Sequence, residues 1–363
     1  MRTRHLAIVA LAALAALTPL AAQAPSPPTV PPVTEGDYIA RNYRFQSGET
    51  LPEVRIHYRT LGSPQRDING RVTNAVLIGH GTGGTGTQFL SRNFAGELFG
   101  PGQPLDATRF FIILPDNLGH GGSSKPSDGL RAAFPRYGYR DMVDLQHRLL
   151  TEGLGVNHAR LIMGTSMGGM HTWLWGQTHP TFMDALMPLA AVPTQISSRN
   201  RAWRRVLIDA IRHDPAWQGG NYTAQPPGLR VAAQMLWLMS SNPVRRAAEA
   251  PTLADADREL DAYVANYMKT ADANDVLYYF EASQDYDPAP GLERIIAPLV
   301  AINSADDLIN PPEIGILEKE IARVRRGRAV VIPLSAQTAG HGTHTLAAVW
   351  KDELVRLLKE SAP

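Results

Sequence analysis

The stretch that most constrains the fold joins a short apolar run, residues 159–163, to a helical pattern, residues 169–178, through Gly-Thr-Ser-Met-Gly-Gly. A serine set between glycines in a sharp turn from strand to helix is typical of a nucleophile elbow, whose strained backbone exposes the hydroxyl at a helix N-terminus. An ordinary glycine-rich turn is the alternative interpretation. The stretch therefore predicts a buried strand, a tight turn and a helix, with Ser166 as the candidate nucleophile.

Short β-rich runs alternate with helical patterns along much of the chain. Residues 140–154, for example, place apolar side chains on one side of a helix that ends at glycines. This alternation predicts an α/β fold, with a mostly parallel sheet covered by helices on both faces. The predicted strands are residues 53–60, 74–78, 109–114, 160–163, 185–191, 298–303 and 329–334.

One segment, residues 194–292, interrupts the alternation. It is mainly helical in pattern and contains Trp203, Trp217 and Trp237. Ligands bind at the carboxyl ends of the strands in open α/β sheets, so an aromatic-rich insertion between two strands predicts a helical lid over that edge. The α/β core is then formed by residues 50–193 and 293–363.

The N-terminus has the pattern of an export signal. Arg2 and Arg4 precede an apolar run of twelve residues, and Ala22-Gln23-Ala24 is a small-x-small cleavage pattern. Twelve residues are too few to span a bilayer, which needs about 20. Residues 1–24 are therefore predicted to be a signal peptide cleaved near Ala22 or Ala24, giving a periplasmic or secreted protein without a stable membrane anchor. Residues 25–49 are predicted to be a Pro-rich linker and N-terminal extension.

Composition excludes several classes of protein. The chain has 363 residues and no cysteine, which removes thiolate zinc sites, Fe–S clusters and cysteine nucleophiles. With 35 Lys and Arg against 34 Asp and Glu, the charge gives no electrostatic reason to expect a nucleic-acid partner. No heptad pattern indicates an oligomeric state, which stays open.

A serine nucleophile needs a base, and that base needs a third group to orient it. Asp306 and Asp307 follow one predicted strand, and His341 and His344 lie in the loop that follows the last one. The chain order Ser, Asp, His at successive strand ends is that of α/β-hydrolases. We choose Asp306 for its strand-end position, with Asp307 as the alternative if the turn slips by one residue. His341 is preferred to His344 because it follows Gly340 at the loop tip.

Acyl transfer also requires donors for the oxyanion. The sequence His-Gly-Thr-Gly-Gly at residues 80–84 follows a predicted strand and matches an oxyanion loop. The backbone N–H groups of Thr82 and Met167 are therefore the expected donors, the second because it follows the nucleophile.

Two competing interpretations use the same residues. Gly81, Gly83 and Gly86 fit a GxGxxG dinucleotide pattern, but Asp116 lies farther along the chain than the ribose-binding acid should. His341 and His344 could pair on a metal, but they lack the glutamate of HExxH and an evident third ligand. We therefore expect neither a cofactor nor a metal.

Several stretches resemble the homoserine O-acetyltransferase branch of the α/β-hydrolase fold. They are residues 140–146 through the serine turn to Met170, 74–78, 116–119 with 123–124, 306–313 and 340–341. The resemblance implies that Ser166 accepts the acyl group, that His341 is the base and Asp306 its partner, and that the kinetics are ping-pong. Two departures stand out: the family's oxyanion loop usually has the sequence HALTG, and Thr165 replaces a glycine.

The export signal favours hydrolysis over transfer. The family's donor is acyl-coenzyme A, a cytoplasmic metabolite, so an exported copy has water as its available acceptor. We therefore expect an esterase acting on a small-molecule ester of small or medium size. The alternatives are an acyltransferase using an exported donor, a peptidase or amidase, and a catalytically silent binding module.

Overall fold

The computed structural model describes residues 32–362, so the predicted signal peptide lies outside the described residues. Its centre is one sheet of eight strands in the order β1-β2-β4-β3-β5-β6-β7-β8. β1 and β2 are antiparallel to each other, β2 is antiparallel to β4, and all other neighbours are parallel. The strands are β1 Thr34–Arg44, β2 Thr50–Leu61, β3 Ala75–Gly79, β4 Phe111–Pro115, β5 Leu161–Thr165, β6 Leu186–Leu189, β7 Leu299–Ser304 and β8 Gly327–Ile332.

The predicted α/β fold is confirmed. Every predicted strand is present, with ends shifted by no more than three residues. The α-helices are α1 Ala95–Leu98, α2 Tyr139–Arg148, α3 Met167–Thr178, α4 Ser198–Arg212, α5 Gly228–Ser240, α6 Pro243–Glu249, α7 Leu253–Thr270, α8 Ala273–Glu281, α9 Ile316–Ile321 and α10 Ala347–Glu360.

Helices cover both faces of the sheet because its central strands are apolar on both sides. Successive side chains of a strand point to opposite faces. In β3, Leu77 therefore joins the apolar cluster that includes α2, α3 and the insertion, whereas Val76 and Ile78 join the cluster that includes α1 and α10. Central parallel strands buried on both faces end together at one edge, and this edge carries the loops that form the site.

The core begins earlier than expected. Within the predicted linker and extension, 25–49, the strand β1 pairs with β2 from Thr34 opposite Thr60 to Arg44 opposite Thr50. The prediction was wrong here because β1 is an edge strand with mostly exposed polar side chains, and only Ala40 and Tyr43 are buried along it.

Helices α4 to α8 occupy the chain between β6 and β7, where the sequence predicts an insertion. Side chains of α4, α5, α7 and α8 line the same cavity as Ser166, so the insertion covers the carboxyl edge of the sheet. Among residues 32–362, none of the helices has both the length and the apolar character that a bilayer span requires.

Candidate active site

Ser166 occupies the sharp turn between β5 and α3. Its φ of 54° and ψ of −110° are strained values for a residue with a side chain. The turn is held by backbone bonds, since Ser166 N donates to Leu189 O at 2.8 Å and Met170 N donates to Ser166 O at 2.8 Å. This geometry leaves the Ser166 side chain part-exposed at the cavity wall.

The glycines around Ser166 are required by close backbone contacts. A Cβ atom on Gly168 would overlap the carbonyl oxygen of Gly79 on β3, and one on Gly164 would overlap the backbone of Gly168. The first turn of α3 therefore presses directly on the strand that leads to the predicted oxyanion loop. The helix N-terminus is fixed beside that loop as a result.

His341 reaches Ser166 from the loop that follows β8. Its Nε2 lies 2.8 Å from Ser166 Oγ, and its Nδ1 lies 2.9 Å from Asp307 Oδ2. Since Nδ1–H donates to the carboxylate, Nε2 carries the lone pair and accepts the serine hydroxyl proton. The structure thus brings together Ser166 and His341, as the sequence predicts.

The carboxylate that contacts His341 is that of Asp307 and not that of Asp306, so the choice of Asp306 was wrong. The strand β7 runs one residue further than predicted, to Ser304, and Asp307 N closes a turn on Ser304 O at 3.1 Å. This one-residue shift aims the Asp307 side chain at His341. The alternative that the sequence left open is the one the structure contains.

The Asp307 carboxylate is buried and accepts several hydrogen bonds from the protein. Its Oδ1 accepts the N–H groups of Ile309 at 2.8 Å and Asn310 at 3.1 Å. Burial by itself would raise the pKa of Asp307, but the charge and hydrogen bond of His341 and these N–H groups hold the pKa below its ordinary value. Asp307 therefore stays ionised and can stabilise an imidazolium.

Asp306 has a different set of partners. Its Oδ2 accepts the Gly340 N–H at 2.9 Å, next to His341 in the sequence, and it also contacts the Asn242 amide of the insertion. Its Oδ1 accepts the hydroxyl of Ser304. Asp306 thus braces the histidine loop and joins it to the start of α6.

His344 lies beside the triad without entering it. Its ring is edge-on to that of His341, with centroids 5.1 Å apart. Desolvation, followed by repulsion from His341, lowers the pKa of His344 to about 3, so the ring is neutral at ordinary pH. The competing interpretation of His341 and His344 as a metal pair is not favoured, because both ring nitrogens of His341 already contact Asp307 and Ser166.

The predicted oxyanion loop lies against Ser166. A Cβ atom on Gly81 would be 3.5 Å from Ser166 Cβ, and the loop closes with Gly84 N donating to Gly81 O at 2.9 Å. In residues 32–362, the N–H groups of Thr82 and Met167 donate to no other residue. Both remain available to a ligand oxygen.

The His80 side chain holds the oxyanion loop through hydrogen bonds at both ring nitrogens. Its Nδ1–H donates to Gly81 O at 2.8 Å, and its Nε2 accepts the Asn117 N–H at 2.9 Å. Burial lowers the pKa of His80, which keeps the ring neutral and Nε2 an acceptor. The carboxylate of Asp116 also has partners within the protein, since it accepts the Gly86 N–H and pairs with Arg59. These contacts do not favour the dinucleotide interpretation, in which Asp116 would bind a ribose.

A cavity of about 280 Å³ opens over Ser166. Of the three predicted lid tryptophans, only Trp203 lines it. Nine further residues line the cavity and were not predicted to do so, because no local sequence pattern marks them. They are Gln88, Arg204, Leu236, Ser240, Tyr263, Tyr267, Tyr279, Phe280 and Ile309.

Comparison with known proteins supports the fold and the type of chemistry. A family model described as alpha/beta hydrolase fold matches residues 74–335. The chain is 31% identical over 274 residues to a probable acyltransferase of Methanothermobacter thermautotrophicus, covering 75% of this chain and 82% of the relative. It is 31% identical over 307 residues to a homoserine O-acetyltransferase of Trichormus variabilis, covering 77% of this chain and 82% of the relative.

The crystal structure of esterase E22 superposes with a TM-score of 0.78 at 20% identity, covering 90% of this chain and all of that one (100%). At this identity the likeness concerns the fold. By sequence the chain is similar to a homoserine O-acetyltransferase, and by fold it is similar to an esterase.

Proposed function

This chain belongs to the α/β-hydrolase family and is similar over 77% of its length to a homoserine O-acetyltransferase, and on that premise we propose that it is an exported serine esterase. It cleaves a small or medium-sized carboxylic ester through an acyl-enzyme on Ser166. The observation that carries this proposal is the continuous chain of hydrogen bonds from Ser166 through His341 to Asp307 at the wall of a cavity.

The first half of the reaction forms the acyl-enzyme. Ser166 Oγ attacks the ester carbonyl carbon while His341 Nε2 takes the hydroxyl proton. The negative oxygen of the tetrahedral intermediate accepts hydrogen bonds from the N–H groups of Thr82 and Met167. The intermediate then collapses, the ester C–O bond breaks, and His341 returns its proton to the departing alkoxide, which leaves as the alcohol.

The second half releases the acid. Water attacks the acyl-enzyme while His341 Nε2 takes one of its protons, and the same two N–H groups hold the second oxyanion. Ser166 Oγ leaves and recovers the proton from His341. Asp307 stays ionised throughout, because its pKa is held low. The net reaction converts ester and water to acid and alcohol.

Water is proposed as the acceptor because of the predicted location. An exported enzyme does not meet acyl-coenzyme A, and residues 1–24 have the signal-peptide pattern. The oxyanion loop Gly-Thr-Gly at 81–83 is also closer to that of hydrolases than to the HALTG of the transferases it resembles. Acyl transfer to a small hydroxyl compound is the second candidate, favoured by the two acyltransferases in the comparison.

A partition experiment separates these two functions. The purified chain is given p-nitrophenyl acetate with and without an excess of small alcohols and of homoserine, and nitrophenol and free acetate are both measured. An esterase releases one acetate for each nitrophenol whether or not an acceptor is present. A fall in free acetate with matching formation of acetylated acceptor would identify a transferase.

A further inference from the structure

Arg204 is a buried cation beside the candidate active site. It lies on α4, its side chain is only 2% exposed, and it lines the cavity that contains Ser166, His341 and Thr82. Its guanidinium carbon is 4.9 Å from the ring centre of Trp203 and 5.4 Å from that of Phe280. The two rings hold the planar group in place at the cavity wall.

Among residues 32–362, no carboxylate pairs with this guanidinium. Among the described residues, Nε donates to Asn200 Oδ1 at 3.1 Å and Nη1 to Ser283 Oγ at 3.4 Å, and Nη2 donates to none. The Tyr139 hydroxyl also interacts with the Arg204 guanidinium, but burial raises the pKa of Tyr139, so this partner carries no charge. Two other arginines of the same helix do have an acidic partner, since Arg205 pairs with Asp209 and Arg212 with Glu281.

A charge taken out of water is costly unless an opposite charge compensates it. Deprotonation does not relieve this cost, because guanidinium stays charged in proteins even though burial lowers the pKa of Arg204. A fixed, desolvated guanidinium whose protein partners are all neutral is suited to bind a carboxylate. The missing counter-charge is therefore expected to arrive with the ligand.

We propose that Arg204 makes this enzyme selective for esters that carry a carboxylate, which binds the guanidinium while the ester carbonyl lies against Ser166. This inference rests on the proposed esterase function and adds the chemical class of its substrate. The carboxylate can belong to the acyl half, as in a half-ester of a dicarboxylic acid, or to the alcohol half, as in an acylated hydroxy acid. Both share the same recognition chemistry, and the test separates them.

The test uses pairs of esters in which a carboxylate is replaced by a carboxamide of the same shape. Monoethyl succinate and ethyl succinamate form the acyl-side pair, and 2-acetoxypropanoate and 2-acetoxypropanamide form the alcohol-side pair. Each kcat/KM is divided by the rate of the same ester with hydroxide, which removes differences in intrinsic reactivity. The wild-type chain, Arg204→Met and Arg204→Lys are compared, and fluorophosphonate labelling of Ser166 is followed in each.

In one pair, the wild-type chain is expected to favour the carboxylate over the carboxamide by about tenfold or more, as for a desolvated charge pair. Arg204→Met removes this preference, because its apolar stem still packs on Trp203 and Phe280 but carries no charge to bind the carboxylate. Arg204→Lys retains part of the preference. If the methionine variant does not fold, a wild-type ratio near one still refutes the inference, and Arg204→Lys still tests whether the preference depends on Arg204.

Three outcomes would overturn the inference. The first is a wild-type chain that cleaves both members of each pair equally well, with Ser166 labelled, which leaves the esterase function intact. The second is an equal loss of carboxylate and carboxamide hydrolysis in a folded Arg204→Met, which assigns Arg204 to packing alone. The third is the absence of both labelling and ester cleavage in the wild type, which removes the esterase function and the inference with it.

Discussion

His341 donates its Nδ1–H to Asp307 at 2.9 Å, whereas the adjacent carboxylate, Asp306, accepts the backbone N–H of Gly340 at 2.9 Å. Two neighbouring acids thus hold the same loop in different ways. Asp307 orients the imidazole of His341 and can stabilise its protonated form, and Asp306 holds the backbone of the loop that carries His341. This division of roles can be tested with two variants of the same type.

Asp307→Asn is expected to lower kcat for p-nitrophenyl acetate about 10³–10⁴-fold, because the amide favours the wrong tautomer of His341 and cannot stabilise its cation. Asp306→Asn, the matched control, should lower kcat by less than about tenfold and instead reduce the free energy of unfolding by about 1–3 kcal/mol through weakened bonds to Gly340 and Ser304. Steady-state kinetics and thermal melting of both variants check this. The reverse order of kcat losses would return the catalytic role to Asp306.

Gly168→Ala is expected to destabilise the protein strongly, by about 3 kcal/mol or more, because the new methyl group overlaps the carbonyl oxygen of Gly79. Gly96→Ala is the matched control. Its Cβ would lie 3.5 Å from the nearest side-chain atom, in the helix α1, where alanine is favourable. Urea unfolding measures both. Equal stability of the two variants would mean that the elbow and β3 are not in close contact.

Asp275 predicts a specific pH dependence of stability. It joins α8 to the loop before α2, where it accepts the Ser127 N–H at 2.9 Å and hydroxyl at 2.7 Å. Desolvation raises the pKa of Asp275 from 3.8 to about 6. Because the folded value lies above the unfolded one, the folded protein binds this proton more tightly, and the associated stability is fully present below pH 3.8 and lost as the pH rises to about 6.

The raised pKa of Asp275 corresponds to a change of about 2–3 kcal/mol in the free energy of unfolding. Asp275→Asn removes it, so the difference in unfolding free energy between wild type and variant should change by that amount between pH 4 and pH 7, in favour of the variant at the higher pH. Urea unfolding at several pH values gives the two curves. Parallel curves would contradict the raised pKa.

The proposed export predicts the N-terminus of the mature protein. When the full chain is expressed in a Gram-negative host, sequencing of the periplasmic product should begin after Ala22 or Ala24, with esterase activity in the same fraction. Replacing Leu11 by Arg interrupts the apolar run and should retain the uncleaved chain in the cytoplasm. A wild-type chain that stays in the cytoplasm with Met1 or Arg2 at its N-terminus would remove the argument for water as the acceptor.

The fold could be predicted from the sequence because its central strands are short, apolar and bounded by turn residues. β3 and β5 are fully buried, and a buried strand leaves a continuous apolar run in the sequence. Ser166 could be predicted equally well, since the elbow is a local motif whose glycines are required by close packing. β1 was missed because an edge strand alternates weakly between exposed and buried positions.

The remaining parts of the site depend on tertiary geometry. The choice between Asp306 and Asp307 turned on where β7 ends, and strand ends are the least certain feature of a sequence pattern. Arg204 was not predicted because a buried arginine on an amphipathic helix has no local signal that distinguishes it from the half-buried Arg201 or the exposed Arg205. Its role follows only from what surrounds it.

Labelling of the purified chain with a fluorophosphonate, followed by peptide mass spectrometry, tests the central assignment most directly. Only a serine with an activated hydroxyl beside an oxyanion site reacts readily with this probe. The account predicts one adduct per chain, located on Ser166, absent in Ser166→Ala, strongly slowed in His341→Ala and unchanged in Ser240→Ala, which alters another serine of the same cavity. No adduct on the folded wild-type chain, or an adduct that persists in Ser166→Ala, would contradict it.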